Sequence, residues 1–199
     1  MKKKNIIVFY DIINEQIKFQ IKNPHSDSIE DIKYIFDKRN KRDLILSISL
    51  STIKIWNFKN MQKLYEIQKE YKDNNYYNII NILNNDDYIH INEAISGSNI
   101  ITYNIDGQKI NTIKNNQIIH NIESFIDYNV KKSYIIVNYN DCLASYEHDN
   151  NNKKYMNYYH DTYNEIFKII INKEEKNIKL IGLGLNYPFI IIWDFHSGN

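Results

Sequence analysis

The chain has 199 residues, with 25 basic and 24 acidic side chains and a formal net charge of +1. This balance argues against a nucleic-acid partner, because nucleic-acid binders usually carry a basic excess or a basic stripe. No stretch approaches the roughly 20 apolar residues of a membrane helix. The single cysteine, Cys142, cannot form an internal disulfide, which favours a reducing, cytoplasmic location.

The first predicted strands lie at the start of the chain. Residues 6–10 form a short apolar run that ends in Tyr10. Ile17, Phe19 and Ile21 then alternate with polar residues, which is the period-two pattern of a strand with one solvent-exposed face.

The next segment, residues 29–36, is ambiguous, because its apolar positions fit a helical face as well as a strand. We favour a strand, since eight residues are short for a helix and the neighbouring elements are strands. Residues 77–83 and 122–126 carry the same ambiguity. Residues 44–49 and 52–56 are expected to pair as a hairpin around a two-residue turn.

Five short apolar runs along the chain each close on an aromatic residue. The aromatics lie 46, 47, 43 and 47 residues apart, which is the range of propeller and solenoid repeats. Runs such as residues 189–193 show no alternation, so both faces of these strands should be buried. Sheets stacked around an axis bury both faces, which favours a propeller of four-stranded repeats over a sandwich. The closing aromatics are Tyr10, Trp56, Tyr103, Tyr146 and Trp193.

The chain resembles the WD-repeat family of β-propellers. The resemblance is carried by residues 52–57, which contain Trp56, and by residues 191–198, which contain a Trp-Asp dipeptide followed by Ser-Gly. Residues 103–107 look like the same corner with tyrosine replacing tryptophan. The resemblance implies an all-β fold. It also implies that the chain forms a propeller arc of about four to five blades and not a complete seven-bladed ring.

The resemblance also implies structural roles for particular residues. In this family a histidine, a serine and a turn aspartate form a buried hydrogen-bond network with the tryptophan. His25, Ser47 and Trp56 match three of these positions, but the turn carries Leu50-Ser51 in place of the aspartate. The family's corner positions in the other copies fall on Tyr103, Tyr146, Trp193 and Asp194.

We expect one domain over residues 1–199, with an incomplete blade at each end. Open blade edges and an uncovered blade face are available for association with another chain. The predicted units are a partial blade at 5–24, blades at about 28–71, 76–115 and 120–160, and a partial blade at 163–199.

No residue pattern indicates catalysis, a metal or a cofactor. The six histidines form no metal-ligand spacing, and adjacent residues on a strand point to opposite faces, which disfavours a His-Asp catalytic pair. Residues 182–184 contain only two of the glycines of a dinucleotide loop.

The sequence therefore predicts a non-enzymatic protein–protein interaction scaffold that docks other proteins on a propeller rim. The alternative is a structural arc or subunit of a larger propeller or assembly. An enzyme on a propeller scaffold would require a cluster of acids and histidines at one mouth of the axis. The many tyrosines fit either blade packing or an exposed partner surface.

Overall fold

The computed structural model of the chain describes residues 5–69, 78–84, 88–95, 99–114, 117–139, 143–148, 153–156, 164–172, 177–184 and 190–195. All of the regular secondary structure in these stretches is β-strand, as predicted. The strands are β1 (Ile6–Asp11), β2 (Gln16–Lys22), β3 (Ile29–Asp37), β4 (Arg42–Ser49), β5 (Thr52–Asn57), β6 (Lys63–Gln68), β7 (Asn78–Asn84), β8 (Ile89–Ile95), β9 (Asn99–Asn104), β10 (Lys109–Lys114), β11 (Ile119–Asp127), β12 (Lys132–Tyr139), β13 (Leu143–Glu147), β14 (Lys153–Met156), β15 (Asn164–Asn172), β16 (Asn177–Gly184) and β17 (Ile190–Asp194).

The strands form five sheets in which neighbours in sequence are neighbours in space. The first sheet is β1-β2, the second β3-β4-β5-β6, the third β7-β8-β9-β10, the fourth β11-β12-β13-β14 and the fifth β15-β16-β17. The three segments that also fitted a helix became β3, β7 and β11, so the strand prediction is confirmed. Short hairpin connections favour this arrangement, because sequential antiparallel strands pair at little cost in loop closure.

The aromatic residue that closes each of the last four apolar runs occupies the same place in its sheet. Trp56, Tyr103, Tyr146 and Trp193 lie on β5, β9, β13 and β17, which are the third strands of their sheets. These third strands pair with the second strand of the same sheet, and the sequence repeat is therefore a structural repeat of one sheet.

Strands in the middle of the sheets are buried on both faces. In β4, all residues from Leu44 to Ser49 are buried, and β12 is buried from Ile135 to Tyr139. Runs of isoleucine, leucine and valine suit such positions, because both sides of the strand contribute apolar side chains to packing. Burial on both faces was predicted for the runs without alternation, and β9 and β13, which contain two of these runs, are buried on both faces as well.

The run at residues 6–10 does not follow that prediction. Ile7 is 3% exposed, but Ile6 and Val8 are each 48% exposed. The reason is that β1 belongs to a two-stranded sheet with only one face packed against apolar neighbours. In the fifth sheet, Ile192 of the run 189–193 is also 58% exposed, and burial on both faces is wrong there too.

The chain divides into two compact units. One contains residues 1–75, 84–90 and 103–110, and the other contains residues 76–83, 91–102 and 111–199. Ile7, Ile21, Ile45 and Trp56 form an apolar cluster between the first and second sheets in the first unit. The second unit has two clusters, one around Ile135 and one in which aromatic rings from the fourth sheet and the Phe195 ring pack edge to face.

Candidate functional site

A buried polar cluster joins the second sheet to the loop that precedes it. Ser47 on β4 is fully buried, and its hydroxyl accepts a hydrogen bond of 2.8 Å from the Trp56 indole Nε1. The same hydroxyl lies 2.7 Å from Nε2 of His25, which is 5% exposed. The structure thus brings together three of the residues singled out in the sequence, His25, Ser47 and Trp56.

Thr52 provides the fourth contact of this cluster. His25 Nδ1 lies 2.7 Å from Thr52 Oγ1, and Ser49 Oγ lies 3.2 Å from the same threonine hydroxyl. Thr52 therefore provides the partner of the second ring nitrogen of His25, beside a turn that carries no aspartate. The sequence signal for Thr52 was its place at the start of the β5 strand, directly after the Leu50-Ser51 turn.

An aspartate does contact the β4–β5 turn, but it comes from the loop between β2 and β3. The Asp27 carboxylate accepts a hydrogen bond of 2.8 Å from the Ser51 backbone N–H. Burial raises the pKa of Asp27, but hydrogen bonds from Ser49 and Ser51 outweigh that effect and hold the pKa below its usual range. Asp27 was not predicted from the sequence, because it lies in the loop before β3 and not in the β4–β5 turn, where the resemblance places the acid.

Burial also has the largest effect on the pKa of His25. Desolvation lowers the pKa of His25, and the positive charge of Lys54 lowers it further. Lys54 itself is held beside the loop, because its Nζ donates to the Pro24 carbonyl at 2.7 Å. His25 is therefore neutral at physiological pH, and it can donate through one ring nitrogen while it accepts through the other.

The other repeats replace this network with different contacts. Ala94 and Val137 precede their closing tyrosines by nine residues, as Ser47 precedes Trp56, and both are fully buried. An apolar side chain at that position cannot bond an aromatic donor. In the fourth sheet the hydroxyl of Tyr146 instead lies 2.7 Å from the Tyr139 hydroxyl.

The remaining sequence-predicted positions lie on strands β9, β13 and β17. Tyr103 on β9 is 4% exposed. Trp193 lies opposite Leu180 in the fifth sheet, and its side chain lies outside the described part of the structure. Asp194 accepts a hydrogen bond of 3.1 Å from Lys179 Nζ, which links β17 to β16. Cys142 lies outside the described residues.

Apolar side chains are exposed on the outer face of the first sheet. Tyr10 and Ile17 are paired across β1 and β2 and are 56% and 53% exposed. Ile6 and Val8 lie on the same face, since alternate residues of a strand share a face. Ile12 and Ile13, in the turn that follows β1, are 83% and 93% exposed. Contiguous exposed apolar surface of this kind marks interaction sites in soluble proteins.

A second polar site lies in the first unit, where a turn carboxylate is held by its neighbours. A cavity of about 130 Å³ lies between the β3–β4 turn, the start of β8 and the β9–β10 turn. Its Asp37 carboxylate accepts from Asn40 Nδ2 at 2.9 Å and from Arg42 Nε at 2.8 Å. Among the described side chains, no group of three or more histidine, cysteine or acidic residues could hold a metal ion. The described stretches also contain no helix long and apolar enough to cross a membrane.

Solved structures with the same architecture are β-propellers. The chain matches BBS1N, crystallised in complex with ARL6DN, with a TM-score of 0.72 at 14% identity over 96% of this chain and 59% of that one. It matches the Dos1 propeller with a TM-score of 0.66 at 11% identity over 100% of this chain and 54% of that one. It also matches the dihydro-heme d1 dehydrogenase NirN, with a TM-score of 0.67 at 10% identity over 98% of this chain and 40% of that one.

The fold is that of a β-propeller. The chain spans about 40–60% of the length of these solved structures. No protein-family model and no curated protein matches the sequence. At these identities the likeness shows the fold alone, and this fold occurs both in a protein crystallised with a protein partner and in a dehydrogenase.

The first prediction concerns the serine at the centre of the polar cluster. We expect Ser47→Ala to lower the free energy of unfolding by about 2–4 kcal/mol, because it leaves the Trp56 N–H and His25 Nε2 buried without that partner. Urea unfolding followed by tryptophan fluorescence measures this loss. Ser26→Ala in the exposed part of the same loop is the control and should change stability by less than about 0.5 kcal/mol. Equal effects of the two substitutions would show that the cluster does not stabilise the sheet.

The second prediction concerns the pH dependence of the free energy of unfolding, which we expect to depend on His25. In the unfolded chain His25 binds a proton near its ordinary pKa of 6.5, whereas the folded chain binds it only at lower pH. The stability contributed by neutral His25 is therefore complete above pH 6.5 and is lost as the pH falls below that value. His25→Gln should make unfolding less sensitive to pH between 7.5 and 5, as measured by urea titrations at several pH values. Asp27 and Asp37, whose pKa values are lowered from 3.8, act in a separate window at more acidic pH.

Proposed function

We propose that the chain is a non-enzymatic protein–protein interaction scaffold of WD-repeat type that works in the cytoplasm. The observation that carries the proposal is the exposed apolar face of the first sheet, formed by Ile6, Val8, Tyr10 and Ile17. A face of four large apolar side chains, each about half exposed, gains free energy when another protein removes it from water.

The rest of the molecule supports binding rather than chemistry. The buried His25–Ser47–Trp56 cluster is satisfied by internal hydrogen bonds, and its short distances fix the loop before β3 against the sheet. Rigid sheets with exposed turns supply surfaces on which partners dock. The WD-repeat assignment rests on this cluster and on the Trp-Asp corner at residues 193–194.

A structural role in a larger propeller or assembly is the second candidate. It is favoured by the share of the matched propellers that this chain spans, 59% for BBS1N and 54% for Dos1. The two candidate functions differ in how much binding to other chains contributes to the stability of the fold. A scaffold folds alone and exchanges partners, whereas a structural subunit gains most of its stability from its assembly.

The test replaces an exposed isoleucine on the proposed surface. Ile17→Lys on β2 places a charge in the apolar face, and Ile110→Lys on β10 is the matched control, because the two side chains are 53% and 45% exposed. Cross-linking mass spectrometry in extracts of the source cells should recover the same partners from the wild type and from Ile110→Lys. Ile17→Lys should lower their recovery about tenfold or more. An unpaired charge buried in the interface costs more binding free energy than the roughly 1.4 kcal/mol that corresponds to a tenfold loss of affinity. Equal recovery from all three chains would contradict the proposal.

A further inference from the structure

Strand β3 is covered on one face and open on the other. Ile35 is 4% exposed, but its neighbours Tyr34 and Phe36 are 60% and 43% exposed, and Ile32 is 44% exposed. Ile32, Tyr34 and Phe36 alternate along the strand and so form one row on one face, which we call the β3 row. Large apolar side chains on a first strand are ordinarily covered by the adjacent sheet of a propeller.

The β3 row continues an interface that already exists in the first unit. Tyr34 pairs with Ile45, and Ile45 pairs with Trp56, so all three side chains lie on the same face of the second sheet. Ile45 and Trp56 are buried against the first sheet, at 4% and 8% exposure. Phe58 connects the two regions, because its ring lies 5.5 Å from Phe9 of β1 and 6.4 Å from Tyr34. The first sheet thus covers the second sheet as far as β4 and leaves β3 open.

The aromatic repeat identifies which strands the first sheet contains. Strand β1 closes on Tyr10, as β5 closes on Trp56 and β13 closes on Tyr146, and those are third strands of their sheets. By this correspondence β1 and β2 hold the third and fourth positions. The strand pair that would occupy the first two positions would lie beside β1, on the side away from β2 and opposite β3, which is where the apolar row is exposed.

Among the described strands only β2 pairs with β1, and we call the opposite edge of β1 its free edge. This free edge can pair with such strands. Asn5 O accepts a hydrogen bond of 2.7 Å from Asn23 N across the β1-β2 pair. Residues of an antiparallel strand turn their amide groups to alternate sides, so Ile7 faces β2 while Ile6 and Val8 direct their N–H and C=O groups to the free edge. No charged residue or proline interrupts β1 before Asp11, although charges and prolines normally protect exposed edges from pairing.

We propose that a β-hairpin of a partner protein pairs with the free edge of β1 and covers the β3 row. The main-chain groups of Ile6 and Val8 would provide affinity, and alternate apolar side chains of the hairpin would pack on Ile32, Tyr34 and Phe36. Two added strands at a spacing of about 4.8 Å span roughly 10 Å, which suits the two positions beside β1 that no described strand fills. This inference rests on the proposed interaction role and adds to the outer face of the first sheet a second surface and the chemistry of its partner.

The chain itself supplies a probe for this site. Residues 119–139 contain β11 and β12, the first and second strands of the fourth sheet, which pair next to its third strand β13. A fluorescently labelled peptide of residues 119–139 should bind the wild-type chain saturably in an anisotropy titration, and a scrambled peptide should not.

Two variants and one control locate the binding. Val8→Pro removes an edge N–H, and Ile32→Lys places a charge in the β3 row; each should weaken peptide binding about tenfold or more. Ile110→Lys is the matched control, because Ile110 is 45% exposed and Ile32 is 44% exposed. Circular dichroism of every variant verifies the fold, and amide exchange at Ile6 and Val8 should slow when the peptide binds to the wild type.

Each other outcome overturns the proposal in a distinct way. No binding of the peptide, or binding that Ile32→Lys does not weaken, shows that this edge and row are not a hairpin site. If partners are still recovered by cross-linking in that case, the scaffold function stands and only the site falls. Self-association of the wild type that Ile32→Lys abolishes would assign the surface to a second copy instead of a partner protein.

Discussion

The structure depends on one constraint, which is that the apolar face of each β-sheet must be covered by another apolar face. On the central strands of the second sheet, apolar side chains are completely or almost completely buried; Leu44, Leu46 and Ile55 have no exposed surface. Fully burying such a side chain contributes about 1.5–3 kcal/mol relative to leaving it exposed. Where the covering sheet has only two strands, the same residue types stay in contact with water, as Ile32 does.

Polar contacts add specificity to this packing. Trp56 belongs to the apolar cluster through its ring and to the hydrogen-bond cluster through its indole N–H, so it connects the core to the loop that holds His25. In the third and fourth sheets the buried apolar residues Ala94 and Val137 occupy the place of Ser47, and in the fourth sheet Tyr146 pairs with the Tyr139 hydroxyl instead. These repeats therefore keep the backbone and the aromatic position while the contacts of the aromatic residue change.

Much of the fold could be predicted from the sequence, because period and patterning act locally. The spacing of Trp56, Tyr103 and Tyr146 located the third strands, and the runs without alternation predicted strands buried on both faces. The exposure of Val8 and Ile192 could not be predicted in this way. The pattern of apolar residues along a segment indicates that it forms a strand, but it does not indicate whether another sheet covers that strand. The contact between His25 and Thr52 depends on a loop conformation that the pattern does not specify. Asp27 was missed for the same reason.

Among the described strands only β2 pairs with β1, and the outer main-chain groups of β1 are therefore free to pair with added strands. Amide hydrogen exchange of the isolated chain, measured residue by residue by NMR, tests this edge. We expect exchange to alternate along β1, slow at Ile7 and Phe9, which face β2, and fast at Ile6 and Val8, which face the free edge. Slow exchange at all four amides would show that the edge of β1 is already paired and would rule out its role as a docking edge.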